Sequence, residues 1–165
     1  MNKGAMPSIA IQIEMLENLV PALPHQYHRL VLVVGRHGAG KTRLLKELSR
    51  RADRAIPYLN LNLALSQRLL DLTSKERPLR ARRLLGEILD EHPEETLALD
   101  NIELLFEPTL HQDPLVLLQG LSRNRSLIAA WPGSYDAAGQ VLTYAEPGHP
   151  EYRRYQKPEV VVITM

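Results

Sequence analysis

The sequence contains, at positions 35–42, the stretch Gly35-Arg36-His37-Gly38-Ala39-Gly40-Lys41-Thr42. It fits the pattern G-x-x-x-x-G-K-[ST], in which backbone N–H groups and a helix N-terminus surround a phosphate. Residues 30–34 before it are apolar, as in a buried strand, and leucines recur at helical spacing after it. A strand, a glycine-rich loop and a helix in this order predict a phosphate-binding loop and a bound nucleoside triphosphate.

The chemistry of such a loop gives its residues different roles. The glycines allow the backbone to approach the phosphates closely. We expect Lys41 to reach the β- and γ-phosphates as a point charge, and the Thr42 hydroxyl to take one coordination position on Mg²⁺. Arg36 and His37 match no required residue type and are expected at the surface. The candidate nucleotide-binding residues are the whole loop: Gly35, Arg36, His37, Gly38, Ala39, Gly40, Lys41 and Thr42.

Composition sets the broad class. The chain has 165 residues, of which 44% are hydrophobic and only 5% aromatic, and this suits one α/β domain with an aliphatic core. The absence of cysteine excludes a disulfide framework and a thiolate metal site. No apolar stretch near the N-terminus is long enough for a signal peptide or a membrane span, so we expect a cytoplasmic protein without a membrane partner.

Charge is distributed unevenly although the formal net charge is only +1. Residues 36–83 contain thirteen Lys or Arg and four Asp or Glu, whereas residues 84–122 contain nine acids and no Lys or Arg. Copies of the chain could stack head to tail through these segments, or the basic side could meet nucleic acid. Solvated helix faces would explain the same pattern. The densest basic cluster, at 77–83, lies where solvent exposure of an amphipathic helix alone would place it.

Apolar strands alternate with amphipathic helices along the rest of the chain. The predicted strands cover residues 30–34, 56–61, 96–100, 126–131 and 159–165, and the predicted helices cover 8–20, 65–72, 79–91 and 114–121. This alternation predicts a three-layer α/β sandwich, with a five-stranded, mainly parallel sheet between helices and a ligand at the carboxyl ends of the strands. We divide the chain into an N-terminal helix and linker (1–26) and a nucleotide-binding domain (27–165). The N-terminal helix either packs on its own core or docks on another protein.

The third predicted strand ends in a carboxylate. Residues 96–100 read Thr-Leu-Ala-Leu-Asp, an apolar run of the Walker B type. In this position Asp100 would hold the Mg²⁺ shell beside the phosphate loop. Thr42 and Asp100 are therefore the candidate metal-binding residues.

With both motifs in place, residues 27–165 resemble the AAA+-like branch of the P-loop ATPases. Within that branch, the runs at 100–103, 131–133 and 147–150 are similar to the BrxF family of small P-loop proteins from bacterial phage-exclusion (BREX) systems. The resemblance implies ATP and Mg²⁺ as cofactors and a role in antiviral defence. It also implies a larger ATPase and other phage-exclusion components as partners.

The chain departs from the AAA+ pattern at three points. Asn101 follows Asp100, where that branch usually carries a glutamate that activates water, and Glu103 is the nearest replacement. Trp131 stands where a polar sensor residue is expected, with Ser134 the nearest hydroxyl. The sequence ends at the fifth strand, so we expect an AAA+-like core without the helical lid.

Arginine fingers in that branch come from the loop between the fourth and fifth strands and reach the γ-phosphate bound by a neighbouring subunit. Arg153 and Arg154 occupy that region, where the alternatives are a solvated loop or packing by the adjacent tyrosines. The candidate catalytic residues are Lys41, Asp100, Glu103, Arg153 and Arg154. Asn60 and Asn62, after the second strand, could contact the site or cap a turn.

Three functional classes remain open. We favour a Mg²⁺-dependent ATPase or ATP-gated switch that forms homo-oligomers and joins larger partners, with nucleic acid as a further possible partner. The alternatives are a small-molecule kinase, for which no acceptor motif is visible, and a non-catalytic module that uses nucleotide as structural support, which Asn101 favours.

Overall fold

The phosphate loop follows a strand that is buried along its whole length. The computed structural model describes residues 8–51 and 55–165. Its strands are β1 (Leu30–Gly35), β2 (Tyr58–Asn60), β3 (Thr96–Asp100), β4 (Ser126–Asp136), β5 (Val141–Tyr144), β6 (Arg153–Gln156) and β7 (Val161–Thr164). Its helices are α1 (Ile9–Leu19), α2 (Lys41–Arg51), α3 (Leu61–Leu69), α4 (Glu76–Asp90) and α5 (Pro114–Leu121), with 3-10 helices at Val20–His25, Glu103–Phe106 and Pro108–Leu110.

The five strands predicted from the sequence form the parallel part of the sheet. Their spatial order is β2-β3-β4-β1-β7, and every neighbouring pair in this path is parallel. Strand β1 lies between β4 and β7, and β3 lies beside β4. The carboxyl ends of β1 and β3 therefore reach the same edge of the sheet, which brings the phosphate loop and Asp100 together. The predicted α/β fold with a mainly parallel sheet is confirmed.

Helices cover both faces of this sheet. All six residues of β1 are buried, and they alternate between two hydrophobic clusters. Leu30 and Leu32 face the layer of α3, α4 and α5, whereas Val31 faces the layer of α1 and α2. Helix α1 belongs to this second layer, because its Ile13 is buried among residues of α2 and the sheet. The N-terminal helix thus packs on the core of its own chain.

Two antiparallel strands extend the sheet beyond the prediction. The sequence predicted that β4 would end at residue 131, before Pro132-Gly133, but β4 continues to Asp136 and pairs with β5, which pairs with β6. Gly133 makes this possible, because a Cβ there would lie 1.9 Å from the Thr143 carbonyl oxygen. The Trp131 indole N–H donates to the same oxygen at 3.0 Å. A proline-glycine pair usually ends a strand, but here β4 continues through it, and its backbone lies very close to that of β5.

Aromatic side chains hold the hairpin formed by β5 and β6 to the core. The chain has one Phe, one Trp and six Tyr, and four of these eight residues cluster at the base of the hairpin. Phe106 stacks on Tyr144 with ring centroids 3.6 Å apart and meets Trp131 edge to face at 5.0 Å. Tyr155 of β6 contacts Trp131 at 5.8 Å and donates from its hydroxyl to Asp113. The hairpin is therefore packed onto the domain rather than projecting from it.

The boundaries around β2 also differ from the prediction. The strand was predicted over 56–61 and the next helix over 65–72, but β2 ends at Asn60 and α3 begins at Leu61. The Asn60 side chain accepts a hydrogen bond from the Leu63 N–H at 3.1 Å and so caps the helix. Because Asn60 caps the helix, α3 begins four residues before its predicted start. In the described parts of the chain, no helix combines the length and the apolar character needed to cross a bilayer.

Gly133→Ala is expected to lower the free energy of unfolding by about 3 kcal/mol, because the added methyl group overlaps the Thr143 carbonyl of β5. Gly86→Ala is the matched control. It lies inside α4 with no atom near the added Cβ and should raise stability by up to about 1 kcal/mol. Urea unfolding followed by circular dichroism measures both. Equal stability of the Gly133→Ala protein and the unsubstituted chain would contradict the close crossing of β4 and β5.

Candidate functional site

The phosphate loop joins β1 to α2 with two of its glycines in a conformation that other residues avoid. Gly38 has φ +79° and Gly40 has φ +100°, both in the region that favours glycine. Gly35 has a different reason to lack a side chain, because its Cβ would lie 2.9 Å from the Cβ of Met165, the residue after β7. The loop is therefore shaped by backbone geometry and by contact with the neighbouring edge of the sheet.

Lys41, the first residue of α2, folds its side chain back over the loop. Its ammonium donates to the carbonyl oxygens of Gly35 at 2.6 Å and Arg36 at 2.8 Å. Burial lowers the pKa of Lys41 from its ordinary value, and the nearby Asp100 and Glu103 carboxylates oppose that lowering. The cation thus lies at the mouth of the loop, within the electrostatic reach of both acids.

Asp100 is the centre of the site. Only 3% of its surface is exposed, and a carboxylate at such depth requires hydrogen-bond donors. Thr42 donates from its hydroxyl to Oδ2 at 2.6 Å, Tyr58 donates from its hydroxyl to Oδ2 at 2.7 Å, and the Asn101 backbone N–H donates to Oδ1 at 2.9 Å. These donors come from α2, from β2 and from the turn after β3. The site thus connects the loop with two adjacent strands.

Tyr58 was not among the residues singled out from the sequence. Burial raises its pKa well above the ordinary value, and the hydrogen bond to Asp100 raises it further, so the phenol remains a donor. The Lys46 ammonium lies 5.3 Å from the centre of its ring. The only sequence signal was its place in a short strand, and that signal becomes useful once β2 is known to pair with β3.

Glu103 reaches the same cleft from the turn after Asp100. Asn101 adopts a left-handed conformation (φ +52°), which asparagine tolerates better than most residues, and turns the chain into the 3-10 helix Glu103–Phe106. The Asn62 amide donates to the Glu103 carboxylate at 3.1 Å and accepts from the Leu104 N–H at 2.9 Å. Asn62 therefore positions the glutamate, whereas Asn60 caps a helix.

One cleft collects most of the predicted residues. Its volume is about 580 Å³ and it is lined by His37, Gly38, Gly40, Lys41, Thr42, Arg43, Lys46, Arg50, Asp100, Asn101 and Glu103. Neighbouring N–H groups, an ammonium and a hydroxyl beside a buried carboxylate suit a polyphosphate with a divalent cation. The residues described contain no group of three or more His, Asp or Glu able to hold a metal ion. Thr42 and Asp100 could hold Mg²⁺ only together with phosphate and water oxygens.

The structure does not place Arg153 and Arg154 in this cleft. Both were predicted in a loop, but they begin strand β6, where Arg154 is exposed and Arg153 is partly buried. The Arg153 guanidinium donates to the Tyr152 carbonyl at 3.2 Å. Neither residue lines the cleft of its own chain, so the finger role stays a prediction that requires a neighbouring molecule. Tyr155, beside them, has the packing role considered as the alternative.

A second cleft, of about 520 Å³, lies between the phosphate loop and the hairpin. It is lined by Arg36, His37, Pro132, Gly133, Ser134, Thr143, Tyr144, Ala145, Glu146, Pro147, His149, Glu151 and Tyr152. His37 lines both clefts. Ser134, the hydroxyl considered as a sensor, instead shares a 2.6 Å hydrogen bond with Thr143 across β4 and β5. Trp131 is fully buried and does not line the phosphate cleft.

Comparison with known proteins identifies no family. No family model and no curated protein match the chain. Among solved structures, PCH-2 of C. elegans aligns with 79% of this chain and 39% of its own, at a TM-score of 0.45 and 16% identity. A structure described as the basis for katanin self-assembly aligns with 80% of this chain and 46% of its own, at a TM-score of 0.42 and 18% identity. The chain thus spans less than half the length of either structure.

Tyr58→Phe is expected to weaken the Mg²⁺-dependent part of nucleotide binding about tenfold, because it removes one of the donors that orient Asp100. Affinity measured in EDTA should not change, since the phosphate loop is intact. Tyr27→Phe, at an exposed tyrosine, is the control. Calorimetric titration with and without Mg²⁺ gives both numbers. If Mg²⁺ raised the nucleotide affinity of the Tyr58→Phe protein by the same factor as that of the unsubstituted chain, Tyr58 would be excluded from the site.

Proposed function

We propose that this chain is a Mg²⁺-dependent ATP-binding protein that hydrolyses ATP when assembled with copies of itself or with larger partners. The observation that carries the proposal is the 2.6 Å hydrogen bond from Thr42 to Asp100 at the foot of the phosphate loop. These two residues lie 58 positions apart in the sequence and meet where the β- and γ-phosphates and their cation would be held.

The residues of the cleft divide the chemistry between them. Backbone N–H groups of the loop and the Lys41 ammonium bind the phosphates and hold the developing negative charge. Thr42 and Asp100 would hold Mg²⁺ together with phosphate and water oxygens, and the ion would supply positive charge beside the phosphates. Glu103, positioned by Asn62, is the proposed base. Water forms the new bond to the γ-phosphorus, the bond to the bridging oxygen breaks, and the proton passes to the Glu103 carboxylate.

The positions of the arginines in the described part of the chain motivate the proposed assembly. Arg43 and Arg50 line the cleft from α2, whereas Arg153 and Arg154 lie on β6 outside it. In an assembly, one of these two would reach the γ-phosphate bound by a neighbour and stabilise transition-state charge. Resemblance of residues 100–103, 131–133 and 147–150 to the BrxF family extends the proposal to a cytoplasmic role in phage exclusion beside a larger ATPase.

The cleft at the hairpin favours a second candidate function. It has the size of a small-molecule site, carries the Ser134 and Thr143 hydroxyls, and meets the phosphate cleft at His37. A kinase would bind its acceptor there and transfer the γ-phosphoryl group to an acceptor oxygen. Formation of ADP without an equal amount of inorganic phosphate, in a metabolite extract, would favour this function over hydrolysis.

Lys41→Ala is expected to weaken ATP binding about 100-fold, because charge-assisted hydrogen bonds to phosphate contribute about 1.5–3 kcal/mol each. Asp100→Ala should leave binding in EDTA nearly unchanged and remove the Mg²⁺-dependent increment. Lys75→Ala, at an exposed lysine next to α4, is the control and should bind as the unsubstituted chain does. Isothermal titration calorimetry measures all three. Equal ATP affinity in the Lys41→Ala protein and the Lys75→Ala control would exclude the loop as the nucleotide site.

The hydrolysis rate per subunit should rise with protein concentration at saturating Mg²⁺-ATP, since a neighbour completes each site. The double variant Arg153→Ala/Arg154→Ala and the Lys41→Ala variant should each be at least about 1,000-fold slower. A mixture of the two should regain activity, because a wild-type loop can then meet wild-type arginines. No turnover at any concentration, despite ATP binding, would instead indicate a nucleotide-gated binding module.

A further inference from the structure

The phosphate cleft continues beyond the phosphate loop along the side of α2. Arg43, Lys46 and Arg50 line this extension. They follow one another at intervals of three and four residues, which places them on one face of a helix. Leu44, Leu45 and Leu48 occupy the opposite, buried face. The α2 strip, as we name Arg43, Lys46 and Arg50, is therefore a continuous basic wall of the cleft.

The length of the α2 strip exceeds what a bound triphosphate requires. Seven residues of α-helix span about 10 Å, and the strip begins only one residue beyond Thr42, where the predicted triphosphate contacts already end. In a base-stacked strand with duplex-like rise the phosphates repeat at about 3.4 Å along the axis, so the strip is long enough to face more than one phosphate of a strand. Its two guanidinium groups also fit phosphate oxygens as paired donors.

Most of the charge on the α2 strip is exposed to solvent and is not paired with an acid of the described residues. Arg43, Lys46 and Arg50 are all exposed, and the ion pairs of the described residues that involve the strip are limited to Arg50 with Glu47. Lys46 instead lies over the ring of Tyr58. On α4, in the opposite layer, Arg83 pairs with Glu87 at 3.0 Å and the Arg80 charge acts on Glu76. Each basic group thus has one ion pair with an acid of its own helix, and it is the α2 strip that lines the phosphate cleft.

We propose that the α2 strip binds the phosphate backbone of a single nucleic acid strand beside the nucleotide cleft. The strand is held by phosphate contacts without base recognition, as expected for cations on a helix face. Side-chain contacts also connect the proposed strand site with the nucleotide site, because Lys46 of the strip lies over Tyr58 and Tyr58 donates to Asp100. The proposal does not depend on ATP hydrolysis, because it rests on the face of α2 alone.

The test is fluorescence anisotropy of a labelled 20-nucleotide oligothymidine, between 50 and 200 mM NaCl. The triple variant Arg43→Ala/Lys46→Ala/Arg50→Ala should raise Kd at least about tenfold and reduce the slope of log K against log salt by about 2, because three single-strand phosphate contacts are lost. The triple variant Arg80→Ala/Arg82→Ala/Arg83→Ala removes the same charge from α4 and should bind as the unsubstituted chain does. The single variant Lys46→Ala gives a smaller change in the same direction and serves if the triple variant does not fold.

Two further arms separate the possible explanations. ATP affinity of the α2 triple variant, measured by calorimetry, should fall by a smaller factor than its oligonucleotide affinity, because the strip lines the cleft beyond the predicted triphosphate contacts. If ATP affinity falls while oligonucleotide binding does not, the strip belongs to the nucleotide site. A 20-base-pair duplex that binds more tightly than the single strand, equal losses in both triple variants, or no salt-dependent binding at 50 mM NaCl would overturn the proposal. Loss of self-association in sedimentation, with oligonucleotide binding unchanged, would assign the strip to a second copy of the chain.

Discussion

The buried carboxylate of Asp100 is the constraint around which this molecule is arranged. A charge with 3% exposure is costly unless donors surround it, and its donors come from α2, β2 and the turn after β3. Each donor requires a different part of the fold to be correctly placed. The parallel order β2-β3-β4-β1 satisfies all of them at once. The phosphate loop is thereby fixed relative to the acid, and the chemistry of the cleft follows from that relation.

The hairpin of β5 and β6 adds a second cleft at the edge of the sheet where the phosphate loop lies. It extends β4, closes over an aromatic cluster and forms a second cleft that meets the first at His37. His37 of the phosphate loop therefore belongs to the lining of both clefts. The same hairpin places Arg153 and Arg154 on a strand, where their side chains alternate between a partly buried and an exposed position.

Charge segregation along the sequence has a different meaning once the layers are known. Most basic residues of 36–83 lie either on α2, on the side of the phosphate cleft, or on α4, in the opposite layer. Those of α4 lie in the layer that does not contain α2, whereas Arg43, Lys46 and Arg50 of α2 continue the wall of the cleft. Proximity to the phosphate loop, and not local density, therefore distinguishes the functional candidates among the cations.

The sequence by itself determined the phosphate loop, the strand before it, the helix after it and the strand that ends in Asp100. These features depend on glycine spacing and on apolar periodicity within about ten residues, so no distant contact is needed to recognise them. The helix predicted over 114–121 was equally local, and the structure has it with Asp113 as its N-cap. The sequence could not reveal the role of Tyr58, which lies 42 positions from Asp100, or the pairing of β4 with β5. Only the tertiary structure decided these, because a hydrogen bond between two strands depends on their order in the sheet and not on the residues beside them.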